Sequence, residues 1–270
     1  MNQQFLFEFK TDISKIKVPA QLNNPFGLDI PELARVAAKE FQAFIAAESQ
    51  KWVHDFHDQQ GKMFGVLVIQ KEDQCYAYLG TISGKIPSNE TCQRFIPSVF
   101  DLSTEDSFLQ KGMNALKEIG EAIKKSNNQS EITALSETRR LKSFALQQWL
   151  FENYRFLNCY GKEQNVLEIF EDSAHGNPPA AAGECTAPKL LQYAFENHLR
   201  PIALAEFWWG KPSKSLERAH QSFYPACKNK CRPILEYMLD DTGLYNQANA
   251  TFEKEIGIVM SGNKTISKEG

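Results

Sequence analysis

Three cysteines, Cys185, Cys227 and Cys231, are the residues whose type and spacing could do chemistry in this chain. Each stands where an apolar pattern with helical spacing begins. A helix N-terminus offers free backbone N–H groups and the positive end of the helix dipole, and both stabilise a thiolate. Thiolates held close together are good zinc ligands. We therefore expect these residues to form a zinc site; the alternative is that they are buried structural cysteines.

The spacing also indicates how the thiols could meet. Cys227 and Cys231 are related by i, i+4, which places two side chains on one face of a helix. The polar residues between them, 228–230, are not typical of a protein core. The fourth ligand would be water, His220 or His175. We favour His220, which lies seven residues before Cys227 on a loop that could fold back.

A carboxylate stands directly beside the first of these cysteines. Glu184 precedes Cys185 and could transfer protons at a metal-bound water. The alternative is an exposed acid in the first turn of a helix, where the dipole favours negative charge.

Residues 208–224 combine aromatic and basic side chains directly after a strand-like run, which is typical of base stacking and phosphate contact. Because neighbouring side chains of a strand point to opposite faces, we expect that Trp208 and Trp209 are not both buried. The alternative is a pair of core tryptophans beside solvated lysines. The residues expected to bind nucleic acid are Lys189, Trp208, Trp209, Lys211, Lys214, Arg218 and Tyr224.

Length and composition limit the class of protein. A chain of 270 residues can bury a core without disulfides, and six cysteines are too few for a disulfide scaffold. The formal net charge of −3 requires that any nucleic-acid contact use a local basic surface. No apolar run is long enough to span a membrane, and no signal peptide is visible. We expect a cytoplasmic, reduced protein without membrane contact.

The elements that would position these residues follow an α/β order. The patterns predict helices at 32–57, 108–125, 131–154, 185–197 and 227–239, and strands at 63–70, 75–83, 166–171 and 202–208. The strands 63–70 and 75–83 form a hairpin, and 202–208 joins them in a mixed sheet flanked by helices. We expect one α/β domain over 1–270, a helical-hairpin insertion at about 105–158, and an irregular tail at 240–270.

Several longer motifs resemble the N-terminal region of bacterial RluA-type RNA pseudouridine synthases, along nearly the whole chain. They include Lys62-Met63-Phe64-Gly65-Val66, Pro97-Ser98-Val99-Phe100-Asp101, Tyr154-Arg155-Phe156-Leu157-Asn158, Gly183-Glu184-Cys185, Ala205-Glu206-Phe207-Trp208-Trp209-Gly210 and Phe223-Tyr224-Pro225-Ala226-Cys227. The sequence ends where the synthase domain would begin and contains no Arg-Leu-Asp catalytic motif. The resemblance therefore implies a role in RNA modification, while we expect no pseudouridine synthase activity from this chain alone.

A second, weaker resemblance is to the zinc-dependent deaminase fold. That fold runs through a helix, a hairpin, a helix that opens with a metal ligand and a glutamate, a strand, and a helix that opens with Pro-Cys-x-x-Cys. This chain has the same order, but Glu184 directly precedes Cys185 and the second motif is Cys-x3-Cys. The resemblance implies a cytidine-deaminase-like arrangement, with zinc held by the three cysteines and Glu184 as general acid/base.

Three alternatives follow as expectations. The first is a zinc-dependent nucleobase deaminase that acts on RNA, either ribosomal RNA or tRNA. The second is a non-catalytic module with the same metal, which binds RNA for a separate pseudouridine synthase. A purely structural protein with buried cysteines is a third. An open coordination position would favour the enzyme, and a closed site with four protein ligands would favour the module.

Overall fold

The computed structural model describes residues 3–49, 52, 55–71, 74–84, 93–100, 108–171, 173, 176–212 and 217–239. The sequence predictions for His175, Lys214 and the tail at 240–270 lie outside these residues. After a 3-10 turn at Gln3–Phe5, the described elements are, in chain order, β1 (Phe7–Glu8), α1 (Glu32–Glu48), β2 (Lys62–Gln70), β3 (Tyr76–Ile82), α2 (Phe108–Lys125), α3 (Gln129–Asn153), β4 (Arg155–Leu157), β5 (Glu163–Asn165), α4 (Val166–Glu171), α5 (Thr186–Glu196), β6 (Arg200–Trp209) and α6 (Arg232–Met238).

The centre of the fold is a four-stranded sheet with the strand order β1-β3-β2-β6. The predicted hairpin is confirmed, and the predicted third strand lies beside it as β6. The expected mixed sheet is wrong, because β6 runs antiparallel to β2 and every described ladder is antiparallel. The physical reason lies in α5, which starts beside Gly65 near the beginning of β2 and returns the chain to Arg200, opposite Gln70 at its end.

Both faces of this sheet are covered, which is why β2 and β6 are apolar nearly throughout. On one face, α1 packs its Phe41 ring edge-on against Phe64 of β2 and Phe207 of β6. On the other face, alternate residues of the same strands join a core cluster with Leu190 of α5 and Ile234 of α6. The sheet therefore holds α5 and α6 together on one side.

The open edge of β6 is protected by other parts of the chain. The Asn23 side chain donates to the carbonyl of Leu204 at 3.1 Å and accepts from the Leu204 N–H at 2.8 Å. Further along, Phe223 forms a bridge with Phe207, and the Tyr224 N–H donates to the Glu206 carbonyl at 3.0 Å. These contacts satisfy strand groups that would otherwise be available for pairing with another chain, and Phe223 packs against the core cluster on the α1 side of the sheet.

The two helices predicted at the insertion are present as α2 and α3, and they pack against each other. Asn128 begins α3 by accepting hydrogen bonds from the backbone N–H groups of Ser130 and Glu131. None of the helices among the described residues combines the length and apolarity needed to cross a membrane.

Three local predictions were wrong. Residues 166–171 form the helix α4 rather than a strand, because Asn165 and Glu168 each accept the other's backbone N–H in a reciprocal cap. The helix predicted at 32–57 ends at Glu48. The helix predicted at 227–239 begins only at Arg232, and Cys227 therefore lies in the turn before it.

We predict that Gly65→Ala destabilises the protein by roughly 1–3 kcal/mol, because overpacking forces neighbouring elements apart. An added Cβ at this position would lie 2.8 Å from Cβ of Thr186, at the first turn of α5. Urea unfolding measures the effect. Gly120→Ala in α2 is the matched control, since its Cβ would meet nothing closer than Arg139 Nε at 3.8 Å. Helix propensity should make that control neutral or stabilising by up to about 1 kcal/mol. Equal unfolding midpoints for the two variants would contradict the proposed close packing.

Candidate metal centre

Cys185 is delivered to the site by a glycine turn that precedes α5. Gly183 has φ +90°, and a Cβ there would lie 2.7 Å from the Tyr154 ring, so this position requires glycine. Cys185 itself has extended backbone angles at the N-cap of α5 and makes no side-chain capping hydrogen bond. Its thiol therefore remains available at the start of the helix.

Cys227 and Cys231 flank a single turn that leads into α6. The N–H of Cys231 donates to the carbonyl of Cys227 at 3.3 Å, and Cys231 is the N-cap of α6. Pro233 follows in the first turn of the helix, where a missing N–H costs nothing. Cys185 and Cys231 thus stand at helix N-termini as predicted, whereas Cys227 lies one turn before α6 and not on the same helix face as Cys231.

The three thiols converge, and they could hold a metal ion. All three sulfur atoms lie within 4.8 Å of one another. The Cys185 and Cys227 sulfurs are 3.9 Å apart, and the Cys227 and Cys231 sulfurs are 3.1 Å apart. Thiolates about 2.3 Å from a tetrahedral ion would be roughly 3.8 Å apart. The distance between the Cys185 and Cys227 sulfurs matches this value. The distance between the Cys227 and Cys231 sulfurs is shorter, so these two thiols would move slightly apart around a bound ion.

The three thiols influence one another's pKa through their mutual hydrogen bonds. Hydrogen bonding with Cys185, and then with Cys231, holds the pKa of Cys227 well below its usual range. The backbone N–H groups of Lys230 and Cys231 act in the same direction. The same hydrogen bonding, together with burial, raises the pKa of Cys185 and of Cys231. A metal ion would compete with the protons that these two thiols hold.

His220, the expected fourth ligand, lies outside the cluster. Its Nδ1 accepts a hydrogen bond from the Gly210 N–H at 2.9 Å, and its ring packs against Trp209 at a centroid distance of 4.4 Å. Burial, and then the neighbouring His57, lowers its pKa. Among the described residues, only the three cysteines form a group with metal-ligand spacing. The described part of the chain therefore supplies three ligands and leaves a fourth position without a protein ligand.

Glu184 is held in a different network. Its Oε1 accepts from the Tyr154 hydroxyl at 2.6 Å, and its Oε2 accepts from Ser98 Oγ at 3.0 Å. Oε2 also lies 3.3 Å from Nζ of Lys189, whose side chain is 2 % exposed. Lys189 additionally donates to the carbonyls of Ile82 and Gly84. Both carboxylate oxygens of Glu184 are therefore occupied in neutralising a buried lysine and fixing the turn before α5.

Sequence reasoning missed a second carboxylate, Glu206. It lies on β6 on the face that α5 covers, and it is 6 % exposed. Its Oε1 accepts from the Thr186 hydroxyl and from the Ala187 N–H, so it caps the N-terminus of α5 from the strand. Burial, and also the charge of Cys227, raises its pKa to about 7, although the Thr186 hydroxyl opposes this. The available signal was a single acid inside an otherwise apolar strand run at 202–209.

Several expected RNA contacts are corrected by burial. Trp208 and Trp209 are 5 % and 4 % exposed, because α1 covers one face of β6 and the loop after the strand covers the other. Lys189 is enclosed in the Glu184 network and cannot reach RNA in this conformation. Lys211 is exposed, while Arg218 and Tyr224 are half-buried beside Trp208. Of the expected contacts in the described residues, these last three remain accessible.

Comparisons with family models, with curated proteins and with solved structures find no match. The resemblances to the pseudouridine synthases and to the deaminase fold therefore stay predictions. The cysteine cluster and the residues around it are the features of the structure that bear on function.

We predict that purified protein binds about one divalent metal ion per chain through three thiolates. The metal content should fall by at least tenfold in each of three variants, Cys185→Ser, Cys227→Ser and Cys231→Ser, because the two remaining thiolates cannot compensate for the lost one. Elemental analysis and the thiolate-to-metal charge-transfer absorption of the cobalt(II) form measure this. The matched control is Cys75→Ser at an exposed cysteine. Equal metal loss in the control, or wild-type protein that takes up no metal, would contradict the prediction.

Proposed function

We propose that this protein is a zinc-dependent hydrolase of the deaminase type that acts on a nucleobase in RNA. The observation that carries the proposal is the convergence of three cysteine thiols without a fourth protein ligand among the described residues. Structural zinc sites use four protein ligands, whereas catalytic sites use three and keep one position open. Three soft thiolate donors favour zinc over magnesium or calcium, which take oxygen ligands.

The architecture supports the deaminase type within this class. The central strand β2 has an antiparallel neighbour on each side, and the cysteines lie at the starts of the helices before and after β6. This is the order in which zinc deaminases carry their ligands. Zinc at this position would supply Lewis acidity to the reacting centre.

Glu206 takes the proton-transfer role that the sequence assigned to Glu184. Both hydrogen bonds that Glu206 makes with described residues end at Oε1, which leaves Oε2 to carry a proton. Hydrolytic deamination consumes one water and releases ammonia. The water oxygen bonds to the ring carbon, one water proton goes to the adjacent ring nitrogen, and the other goes to the amine as the carbon–amine bond breaks. Oε2 of Glu206 would accept each proton in turn and deliver it to the ring nitrogen and then to the amine nitrogen. Its burial beside the cysteines keeps this exchange away from bulk water.

A second candidate function is the accessory module, with the same metal and no chemistry. The capping contacts of Glu206 favour it, because a carboxylate that accepts from Thr186 and Ala187 also has a structural use. In that case the resemblance to pseudouridine synthases would reflect RNA binding for a separate enzyme. The two functions predict different effects of removing the Glu206 charge: loss of deamination activity for the enzyme, and no activity to lose for the accessory module.

We predict that Glu206→Gln lowers deamination by about 100-fold or more while zinc content is retained, because glutamine keeps the shape but cannot accept a proton. Conversion of cytidine to uridine and of adenosine to inosine in RNA, measured by nucleoside mass spectrometry with ammonia release, provides the assay. Wild-type protein with bound zinc and no product in either conversion would instead establish the accessory module.

The matched control is Glu184→Gln, which removes the same charge one residue before Cys185. We expect it to destabilise the fold by about 3 kcal/mol, since buried Lys189 loses its partner, and to keep turnover in the folded fraction within about tenfold of wild type. If turnover depends on Glu184 and not on Glu206, the assignment of the proton to Glu206 is wrong.

We also predict that this chain alone forms no pseudouridine. The reason is the absence of an Arg-Leu-Asp motif from the sequence. Incubation of pure protein with ribosomal RNA and with tRNA, followed by nucleoside mass spectrometry, measures it. A pseudouridine yield that grows with protein concentration would refute the prediction.

A further inference from the structure

The segment that carries two of the three cysteines is strongly basic. Residues 211–232 contain six lysines or arginines and one acid, Glu217, in a chain whose formal net charge is −3. Lys228, Lys230 and Arg232 adjoin Cys227 and Cys231 in sequence, so half of these cations stand beside the candidate metal centre. A surface of one sign next to a reactive site attracts ligands of the opposite sign.

Arg218 is the most organised of these cations. Its guanidinium lies 5.1 Å from the Trp208 ring centroid and 5.5 Å from that of Tyr224. The Tyr224 hydroxyl is itself fixed, because it accepts from the Ala219 N–H at 2.7 Å. Among the described residues, no carboxylate or carbonyl accepts from Arg218. Two aromatic rings therefore hold a planar cation whose hydrogen-bond donors are available for an anion.

Two further cations stand on the turn between the metal-ligating positions. Lys228 is exposed and Lys230 is half-buried, and neither forms an ion pair with a described residue. Arg232 differs from them, since it pairs with Glu236 at 2.8 Å and stacks over Phe26. Lys211 is directed away from the cysteines, since its Nζ donates to the Asp58 carbonyl at 3.4 Å. The cations considered further are therefore Arg218, Lys228 and Lys230.

These cations adjoin the chemistry of the site. Lys230 directs its backbone N–H towards the Cys227 sulfur, so its turn forms one wall of the cysteine cluster. Tyr224, which contacts the Arg218 guanidinium, and Glu206 both line one small cavity of about 10 Å³ at the edge of β6. The charge of Arg218 reaches the Glu206 carboxylate. An anion held by these residues would lie at the entrance to the cluster.

We propose that Arg218, Lys228 and Lys230 form a binding site for the phosphate backbone of single-stranded RNA, which places one nucleotide at the metal centre. This inference rests on the proposed function, because the phosphate site would position a nucleotide at the proposed zinc centre. A single strand fits better than a duplex, because Cys185 and Cys231 are too enclosed for a base that remains stacked and paired. An anionic membrane fits less well, since membrane-surface binding needs apolar side chains beside the basic ones. The exposed large hydrophobic residues of the described chain all lie outside 211–232.

The test is fluorescence anisotropy with a labelled single-stranded RNA of about 12 nucleotides, at salt concentrations from about 50 to 200 mM. Arg218→Ala should weaken binding by roughly 5- to 20-fold, and Arg218→Lys should restore only part, because lysine lacks the planar fork. Lys228→Ala/Lys230→Ala should reduce the slope of log K against log salt by about 2, or about 1 per phosphate contact. Zinc content and thermal midpoint are measured for each variant.

The matched controls remove the same charge from the helical hairpin. Arg139→Ala corresponds to Arg218→Ala, and Lys117→Ala/Lys125→Ala corresponds to the double variant. Equal loss of affinity in the controls would overturn the proposal, because the binding would then depend on net charge alone. Unchanged binding in the site variants would overturn it as well. Stronger and equally variant-sensitive binding to duplex RNA, to phosphatidylserine vesicles or to a polyglutamate peptide would assign the site to that other ligand and refute the proposal.

The outcomes separate this inference from the proposed function. If zinc binding and deamination are present but the site variants bind RNA like wild type, only the phosphate site is wrong. If the variants lose RNA binding while the wild type holds no zinc and deaminates nothing, the phosphate site stands and the enzymatic function fails.

Discussion

The contact between the N-terminus of α5 and the central sheet is the constraint on which the cysteine cluster depends. Gly65 lets Thr186 approach β2 closely, and Glu206 on the neighbouring strand accepts hydrogen bonds from Thr186 and Ala187. A larger residue at 65 or an apolar one at 206 would release the first turn of the helix. Because Cys185 is the N-cap of that turn, its thiol position is set by the backbone of two strands. Packing on both faces of the sheet fixes these strands, and the positions of the cysteines are therefore fixed by the core.

A second buried charge pair secures the same helix from its other side. Lys189 is enclosed on α5, and it is tolerated because Glu184 pairs with its charge and the carbonyls of Ile82 and Gly84 accept its hydrogen bonds. This network ties the hairpin β2–β3 to the turn before Cys185. Burial lowers the pKa of Lys189, whereas Glu184 acts in the opposite direction. Such a pair adds little net stability, but the loss of one partner is costly, and it therefore favours one arrangement of the turn over others.

Local patterns were sufficient to predict the hairpin and the third strand, because each depends on residues close in sequence. The meeting of Cys185 with Cys227, 42 residues apart, was instead predicted from the order of the elements. The cap of α4 also depends on residues close in sequence, Asn165 and Glu168. It was overlooked because the mostly apolar residues 166–170 were interpreted as a strand. Other features depend on contacts between distant segments. The burial of Trp209 requires α1, and the role of Glu206 requires α5, so neither could be read from β6 alone. The direction of β6 likewise depends on where α5 returns the chain.

The charge balance of the site connects the proposed chemistry with the basic segment. Three thiolates carry one more negative charge than a divalent ion neutralises, and an ionised Glu206 would add another. An RNA phosphate would therefore be repelled at short range from a site that consists only of these groups. Burial keeps Glu206 partly protonated near neutral pH, which removes some of that repulsion. Arg218, Lys228 and Lys230 would offset the remainder at the proposed phosphate site. The proposed polyanionic substrate and the proposed thiolate-rich metal centre would be compatible because the ligand-bearing turn supplies positive charge next to its own cysteines.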